Sequence, residues 1–311
     1  MAESYLEAAK SYRKIKNTKE AALSYQTAKQ LLISTMNRFT DPAAHAHAEY
    51  LLGDLAYEEA GNTKDMDLRK DRYHAALARF GKVIANYPES ADAPKAQFKT
   101  AVTYERLKEP EAAAQEYVKL AYKYPDSEFL AVALYRLGVH FRTKAKRLMR
   151  ELAPLLAQIK DKKPKDVGRD LQFKIDQLTV DMNDQYTKAG KIFARALDRF
   201  PAHSLAGKAG LRSAQCFYAA KDYSGALPPL RAVMDGENYQ GVERAEALYW
   251  AGKCYSLIGE DMAAYSMFLR CTEDFPETEW SGYCLAELSQ PRYEGAKRKI
   301  MQELKQKGFV Q

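Results

Sequence analysis

The chain has 311 residues, 46% of them hydrophobic and 29% charged, with only 16 Gly and 12 Pro, a balance that suits a large, all-helical core. No window approaches the roughly 18 consecutive apolar residues of a membrane-spanning helix, and residues 1–30 lack the long apolar run of a secretory signal. The formal net charge of +7 is local: residues 142–191 carry a net +6 and residues 292–311 a net +4, which leaves the remainder slightly acidic.

Small and aromatic residues recur along the chain in a pattern that predicts six helical hairpins. In the first, Ala9 on one helix faces Ala21 and Tyr25 on the next. The second sets Gly53 against Ala76 and Phe80, with "GNTKDMDLRKDRYHA" between them as a longer turn whose end extends the second helix, and it closes on Tyr87-Pro88. The third uses Ala101, Ala113 and Tyr117 and closes on Tyr124-Pro125. Gly138, Ala189 and Phe193 mark the fourth, which ends at Phe200-Pro201; Ala214, Ala226 and Leu230 mark the fifth. The sixth has Gly252, Ala264 and Phe268 and closes on Phe275-Pro276. A small residue lets two helices cross closely and the aromatic fills the gap. Proline stops the second helix, because it has no N–H to donate and its ring clashes with the preceding turn. The two small positions lie 12 residues apart in four hairpins, but 23 apart in the second and 51 in the fourth.

The longest interval holds an insertion. Phe141, Ala145, Leu148, Leu152, Leu155 and Ile159 alternate by four and three, and Leu171, Ile175, Leu178 and Met182 resume the pattern after "KDKKPKDVG". That period predicts an antiparallel coiled-coil hairpin projecting from the fourth repeat. Pro154 is expected to kink or break its first arm. Lys160, Lys162, Lys163 and Lys165 crowd the expected tip, which reads as a solvated turn or, alternatively, as a contact for anionic lipid or an acidic protein. In the tail, Tyr293, Ala296, Ile300 and Leu304 share one helical face, as a cap over the last repeat would require. The expected organisation is therefore N-terminal hairpins over 1–141, the projecting hairpin over 142–190, C-terminal hairpins over 191–276 and capping helices over 277–311.

The order Gly or Ala, aromatic, Ala, aromatic and terminal Pro resembles the tetratricopeptide repeat. The resemblance implies an all-α, right-handed superhelical solenoid of about six hairpins that acts as a non-catalytic protein–protein interaction scaffold. Within that superfamily, "YPESADAPKAQFKTA" and "YPDSEFLAVALYRLG" are similar to the bacterial cell-envelope branch that includes the assembly lipoprotein BamD and the Tol-Pal coordinator CpoB. This implies residence in the bacterial periplasm or cell envelope, with the cytoplasm as the alternative. In such repeats the first helices line the concave face. The residues three before each small position, Leu6, Tyr50, Phe98, Tyr135, Leu211 and Tyr249, are then expected to look into a groove. Tyr57 and Tyr218 extend that face, and Arg106 and Lys253 supply donors. Aromatic rings with polar tips suit an extended peptide or a partner helix. The alternative is that these rings pack on the neighbouring first helix and only shape the solenoid.

Signatures of catalysis are missing. No phosphate loop, dinucleotide loop or nucleophile elbow occurs. His45 and Glu49 lie one helical turn apart without a third ligand, and Ser11 with Lys14 matches Ser-x-x-Lys without its companion motifs. No enzymatic activity, cofactor or metal is expected. Zinc-finger spacing, an aromatic RNA-binding strand and a basic zipper are also lacking, so nucleic acid is not an expected partner. The expected partner is a protein segment. An anionic membrane surface, met through the basic tip and tail, is the alternative, and a second copy of the chain could pair through the hairpin. Cys216, Cys254, Cys271 and Cys284 have no metal-type spacing and read as buried thiols.

Overall fold

A computed structural model describes residues 1–161, 163, 167–239 and 241–306. Among the described residues all long regular elements are α-helices: α1 (Ala2–Lys14), α2 (Thr18–Arg38), α3 (Pro42–Gly61), α4 (Met66–Asn86), α5 (Ala93–Leu107), α6 (Pro110–Lys123), α7 (Leu130–Ile159), α8 (Arg169–Arg199), α9 (Ala206–Ala219), α10 (Tyr223–Asp235), α11 (Val242–Ile258), α12 (Asp261–Asp274), α13 (Glu279–Leu288) and α14 (Glu294–Gln306). The chain forms two compact units, Met1–Ala133 and Leu134–Gln311. No described helix is long and apolar enough to cross a membrane.

Each unit is built by successive antiparallel neighbours. In the first, α1 packs on α2, α2 on α3, α3 on α4, α4 on α5 and α5 on α6, while α3 also touches α5. In the second, α8 through α13 pack each on the next, and α9, α11 and α13 lie side by side. The small positions explain the close crossings. A Cβ built on Gly53 would lie 2.6 Å from the Phe80 ring, and one on Gly138 would lie 2.7 Å from Phe193. Phe80, Phe193 and Phe268 are fully buried. Each ring thus occupies the space that the glycine of the facing helix leaves open.

Two local devices set the hairpin length. In the four short hairpins the first helix ends at a left-handed residue seven positions after the small one: Lys16 (φ 59°), Lys108 (φ 63°), Lys221 (φ 63°) and Gly259 (φ 92°). The following amide reaches back to the last turn, as in Glu109 N–H to the Tyr104 carbonyl and Asp222 N–H to the Phe217 carbonyl, both 2.9 Å. This is the Schellman termination, which satisfies carbonyls that the helix end would otherwise orphan. At the other end, the aromatic before each proline leaves the helical region, with φ and ψ of −135° and 51° at Tyr87 and −136° and 50° at Phe275. Its carbonyl then accepts the amide three residues on, Ser90 to Tyr87 at 3.0 Å and Thr278 to Phe275 at 3.2 Å. Proline imposes this, because its ring excludes the residue before it from the α region.

The long intervals arise because the left-handed stop is missing. Gly53 is followed by an uninterrupted α3, and α4 starts early at Met66, capped by the Asp65 carboxylate. Gly138 is followed by an α7 of 30 residues, paired with an α8 of 31. Beyond the Gly138–Phe193 crossing, the Tyr186 hydroxyl lies 4.0 Å from the Met149 sulfur, and Ala145, Leu152 and Ile175 are buried. Contrary to the expected break, α7 runs unbroken through Pro154. Pro154 and Arg150 are both exposed, so water can reach the carbonyl whose helical donor the proline removes. At the C-terminal end α13 and α14 pack on α12, and Tyr293 sets its ring 5.9 Å from Phe268. Ala296 is buried and Ile300 half-buried; the Leu304 side chain lies outside the described residues.

Candidate partner-binding face

The first helices of each unit carry the residues expected to contact a partner. In unit 1, Tyr50 leans on Phe80 of its own hairpin at 5.9 Å, and Phe98 leans on Tyr117 at 5.9 Å while stacking on Phe129 at 5.1 Å. Both rings are half-buried and partly structural. Burial raises the Tyr50 phenol above its ordinary value, so it is a neutral hydroxyl at any physiological pH.

Tyr57 and Arg106 come together, since Arg106 Nε donates to the Tyr57 hydroxyl at 3.2 Å. Tyr73 sits 5.6 Å from the Tyr57 ring, and Lys99 Nζ lies 4.7 Å from its centre. Tyr57, Glu58, Asn62, Arg69, Tyr73 and Arg106 line a polar cleft of about 390 Å³. Elsewhere on this face the charges are neutralised. Buried Asp54 takes Lys99 at 2.6 Å and Lys10 at 3.6 Å, and His47 bridges Asp92 at 2.9 Å and Glu3 at 3.0 Å.

Unit 2 presents a denser aromatic surface. Tyr135 meets Phe193 edge-on at 5.3 Å and serves the α7–α8 crossing. Tyr218 and Tyr249 join a cluster across α9, α11 and α13. Tyr218 lies 5.1 Å from Trp250, and Tyr249 lies 5.6 Å from Trp250, 5.3 Å from Trp280 and 5.9 Å from Tyr283. Burial raises both tyrosine phenols. Lys253, expected as a free donor, is instead tied to Glu287 of α13 at 2.8 Å. Burial alone would lower its pKa, but the bond and charge of Glu287 outweigh this and raise it. Beside the cluster, Gln215 accepts from Arg212 and donates to Glu246, each at 2.8 Å. Glu246 is pushed above the usual carboxylate range by burial, against the pull of Trp250, Arg212 and Gln215.

Trp250, Trp280 and Tyr283 were not among the expected contacts. Trp250 directly follows Tyr249, and Trp280 and Tyr283 belong to "EWSGYCLAEL", within the stretch expected to cap the last repeat. The signal that finds them is α13 itself, which takes the place of a further first helix against α11 and α12.

Other expected residues stay apart. Lys160 and Lys163 are exposed, whereas Lys162 and Lys165 lie outside the described residues. His45 Nε2 pairs with the Phe39 carbonyl, and Glu49 binds Arg79 at 2.8 Å and Lys82 at 3.6 Å, so the two do not form a ligand pair. Among the described residues no group of three His, Cys, Asp or Glu side chains could hold a metal ion. The four cysteines are free and buried.

Residues 95–127 and 246–278 match the tetratricopeptide-repeat family model. In these two segments the chain is similar to the tetratricopeptide repeat. They correspond position for position: Ala101, Ala113, Tyr117 and Pro125 in one stand where Gly252, Ala264, Phe268 and Pro276 stand in the other. Tetratricopeptide repeats serve as protein–protein interaction scaffolds. No curated protein matches the chain.

Among solved structures, the chain is similar to a tetratricopeptide repeat protein from Parabacteroides merdae (14% identity, covering 93% of this chain and 99% of that one, TM-score 0.32). It is similar also to PilW, a widely conserved type IV pilus biogenesis factor (17% identity, 75% and 98% coverage, TM-score 0.29). A third is pilF of Pseudomonas aeruginosa (20% identity, 79% and 100% coverage, TM-score 0.28). At these TM-scores the likenesses carry no argument about fold or partner.

Proposed function

We propose that this chain is a non-catalytic scaffold that binds a segment of a partner protein on the face built by its first helices. The observation that supports it is the shelf formed by Tyr218, Tyr249, Trp250, Trp280 and Tyr283 across three successive first-helix positions, with Tyr283 still 52% exposed. Packed aromatic rings lose little conformational entropy on binding and offer large contact area, which is why such residues dominate protein-binding energetics. In unit 1, Tyr50, Tyr57, Phe98 and Arg106 form the corresponding contact region. The α7–α8 pair is a projecting coiled-coil arm, and the whole acts in the bacterial cell envelope, the compartment to which the Tyr-Pro-x-Ser phrases point.

Tyr283→Ala and Tyr218→Ala test the reading: Tyr283 is exposed and Tyr218 half-buried at the rim of the cluster. The partner recovered by chemical crosslinking to the wild-type chain should be lost from both variants while their circular dichroism is unchanged. Undiminished capture by both would remove the aromatic shelf from the function.

A further inference from the structure

The α7 helix carries Arg142, Lys146 and Arg150 at successive four-residue steps, so the three lie on one helical face. Arg142 and Lys146 are half-buried and Arg150 is exposed. Arg212 of α9 reaches the same neighbourhood. The Lys146 ammonium is held below its ordinary value chiefly by Arg142, then by burial, and further by Arg212 and Arg150. The Arg142 charge also acts on the buried Cys216 of α9 and Tyr186 of α8.

Four cations have therefore been folded into mutual repulsion. Among the described residues none of Arg142, Lys146 and Arg150 makes an ion pair with an acid of this chain, whereas the corresponding charges of unit 1, Lys10 and Lys99, converge on Asp54. Repulsion of this kind costs stability and is relieved by an anion supplied from outside.

The cluster is also continuous with the aromatic shelf. Arg212 donates to Gln215, Gln215 to Glu246, and Glu246 lies one turn of α11 before Trp250, which is in contact with Tyr218 and Tyr249. A ligand lying across α9 would meet cations at its α7 end and rings at its α11 end.

We infer that the segment bound by unit 2 is an acidic, apolar stretch of protein, its carboxylates seated on Arg142, Lys146, Arg150 and Arg212 and its apolar side chains on the aromatic shelf. This rests on the reading of the first-helix face as the binding face and adds the chemistry of the occupant. Arginine suits the role, since its fork pairs with a carboxylate through two parallel hydrogen bonds. A polyanion without apolar groups would leave the shelf unused.

The test uses the full chain and two fluorescein-labelled peptides, one alternating Glu pairs with Leu and Phe and the other carrying Gln in place of every Glu, read by anisotropy. The acidic peptide should bind at least about tenfold more tightly than its Gln counterpart, and raising salt from about 50 to 200 mM should weaken it. The triple variant Arg142→Gln, Lys146→Gln, Arg150→Gln should erase both the preference and the salt dependence. Its thermal midpoint should hold or rise, because repulsion is removed. Equal binding of the two peptides that still depends on Tyr283 would overturn the inference and leave the aromatic face standing. Binding of either peptide that ignores Tyr283→Ala and Tyr218→Ala would remove that face as well. If vesicles of phosphatidylglycerol bind through the three cations and the acidic peptide does not, the occupant is a membrane surface and the inference fails.

Discussion

Gly138→Ala adds one methyl group where the fourth hairpin has no room for it. The new Cβ would stand 2.7–2.8 Å from three atoms of the Phe193 ring. That ring is fully buried, and Tyr135 braces it at 5.3 Å, so it cannot simply step back. Overpacking of this kind costs about 1–3 kcal/mol. Alanine returns about 1 kcal/mol, because glycine is the poorer helix former. The net expectation is a loss of about 1 kcal/mol, or roughly 2–4 °C in the midpoint for a domain of this size. Urea unfolding followed by circular dichroism measures it. The double variant Gly138→Ala, Phe193→Leu should recover part of the strain, so that the two changes are non-additive by at least about 0.5 kcal/mol. If Gly138→Ala instead stabilises the chain by the full propensity gain, glycine is not there to admit the ring and the crossing has been misread.

Lys108→Gly and Lys221→Gly should each stabilise the chain by about 0.5–1 kcal/mol, since a left-handed L-residue costs about 1–2 kcal/mol and glycine returns part of that as unfolded-state entropy; chemical denaturation checks both. Glu246→Gln should raise the thermal midpoint at neutral pH. Burial raises the folded pKa of Glu246, so whatever stability the group contributes is present below its unfolded pKa and lost as pH rises through the folded value. The advantage of the glutamine should therefore shrink below about pH 4. Burial pushes the Cys216 thiol up to about 11 and the Cys254 thiol up to about 12. A thiol-reactive disulfide reagent at about pH 8 should leave both untouched until denaturant is added.

The hairpins were legible because each depends on a short-range steric fit, a glycine or alanine facing an aromatic ring at fixed spacing. Proline announced the second-helix ends for the same reason. The first-helix ends were not legible, since three of the four left-handed stops carry lysine rather than the glycine that would signal them. Pro154 suggested an interruption that the exposed face of α7 absorbs. On the candidate face, the positions of Tyr57 and Arg106 and of Tyr218 and Tyr249 could be read from helical spacing. That Lys253 would be spent on Glu287, 34 residues away, could not. Trp280 and Tyr283 were hidden because "EWSGYCLAEL" lacks a following second helix of the usual pattern. The α7 cations were visible only as part of a net charge, and became a site once α7 proved long enough to carry them along one face beside Arg212.

The most direct measurement of the central claim compares two exposed tyrosines on opposite kinds of helix. A photo-crosslinking amino acid is placed at Tyr283, on the first-helix face, or at Tyr122, which is 86% exposed on the second helix α6. In the cell that makes this protein, position 283 should yield a discrete protein adduct that the Arg142, Lys146 and Arg150 substitutions diminish, and position 122 should yield none. A discrete adduct from position 122 with none from 283 would contradict the account.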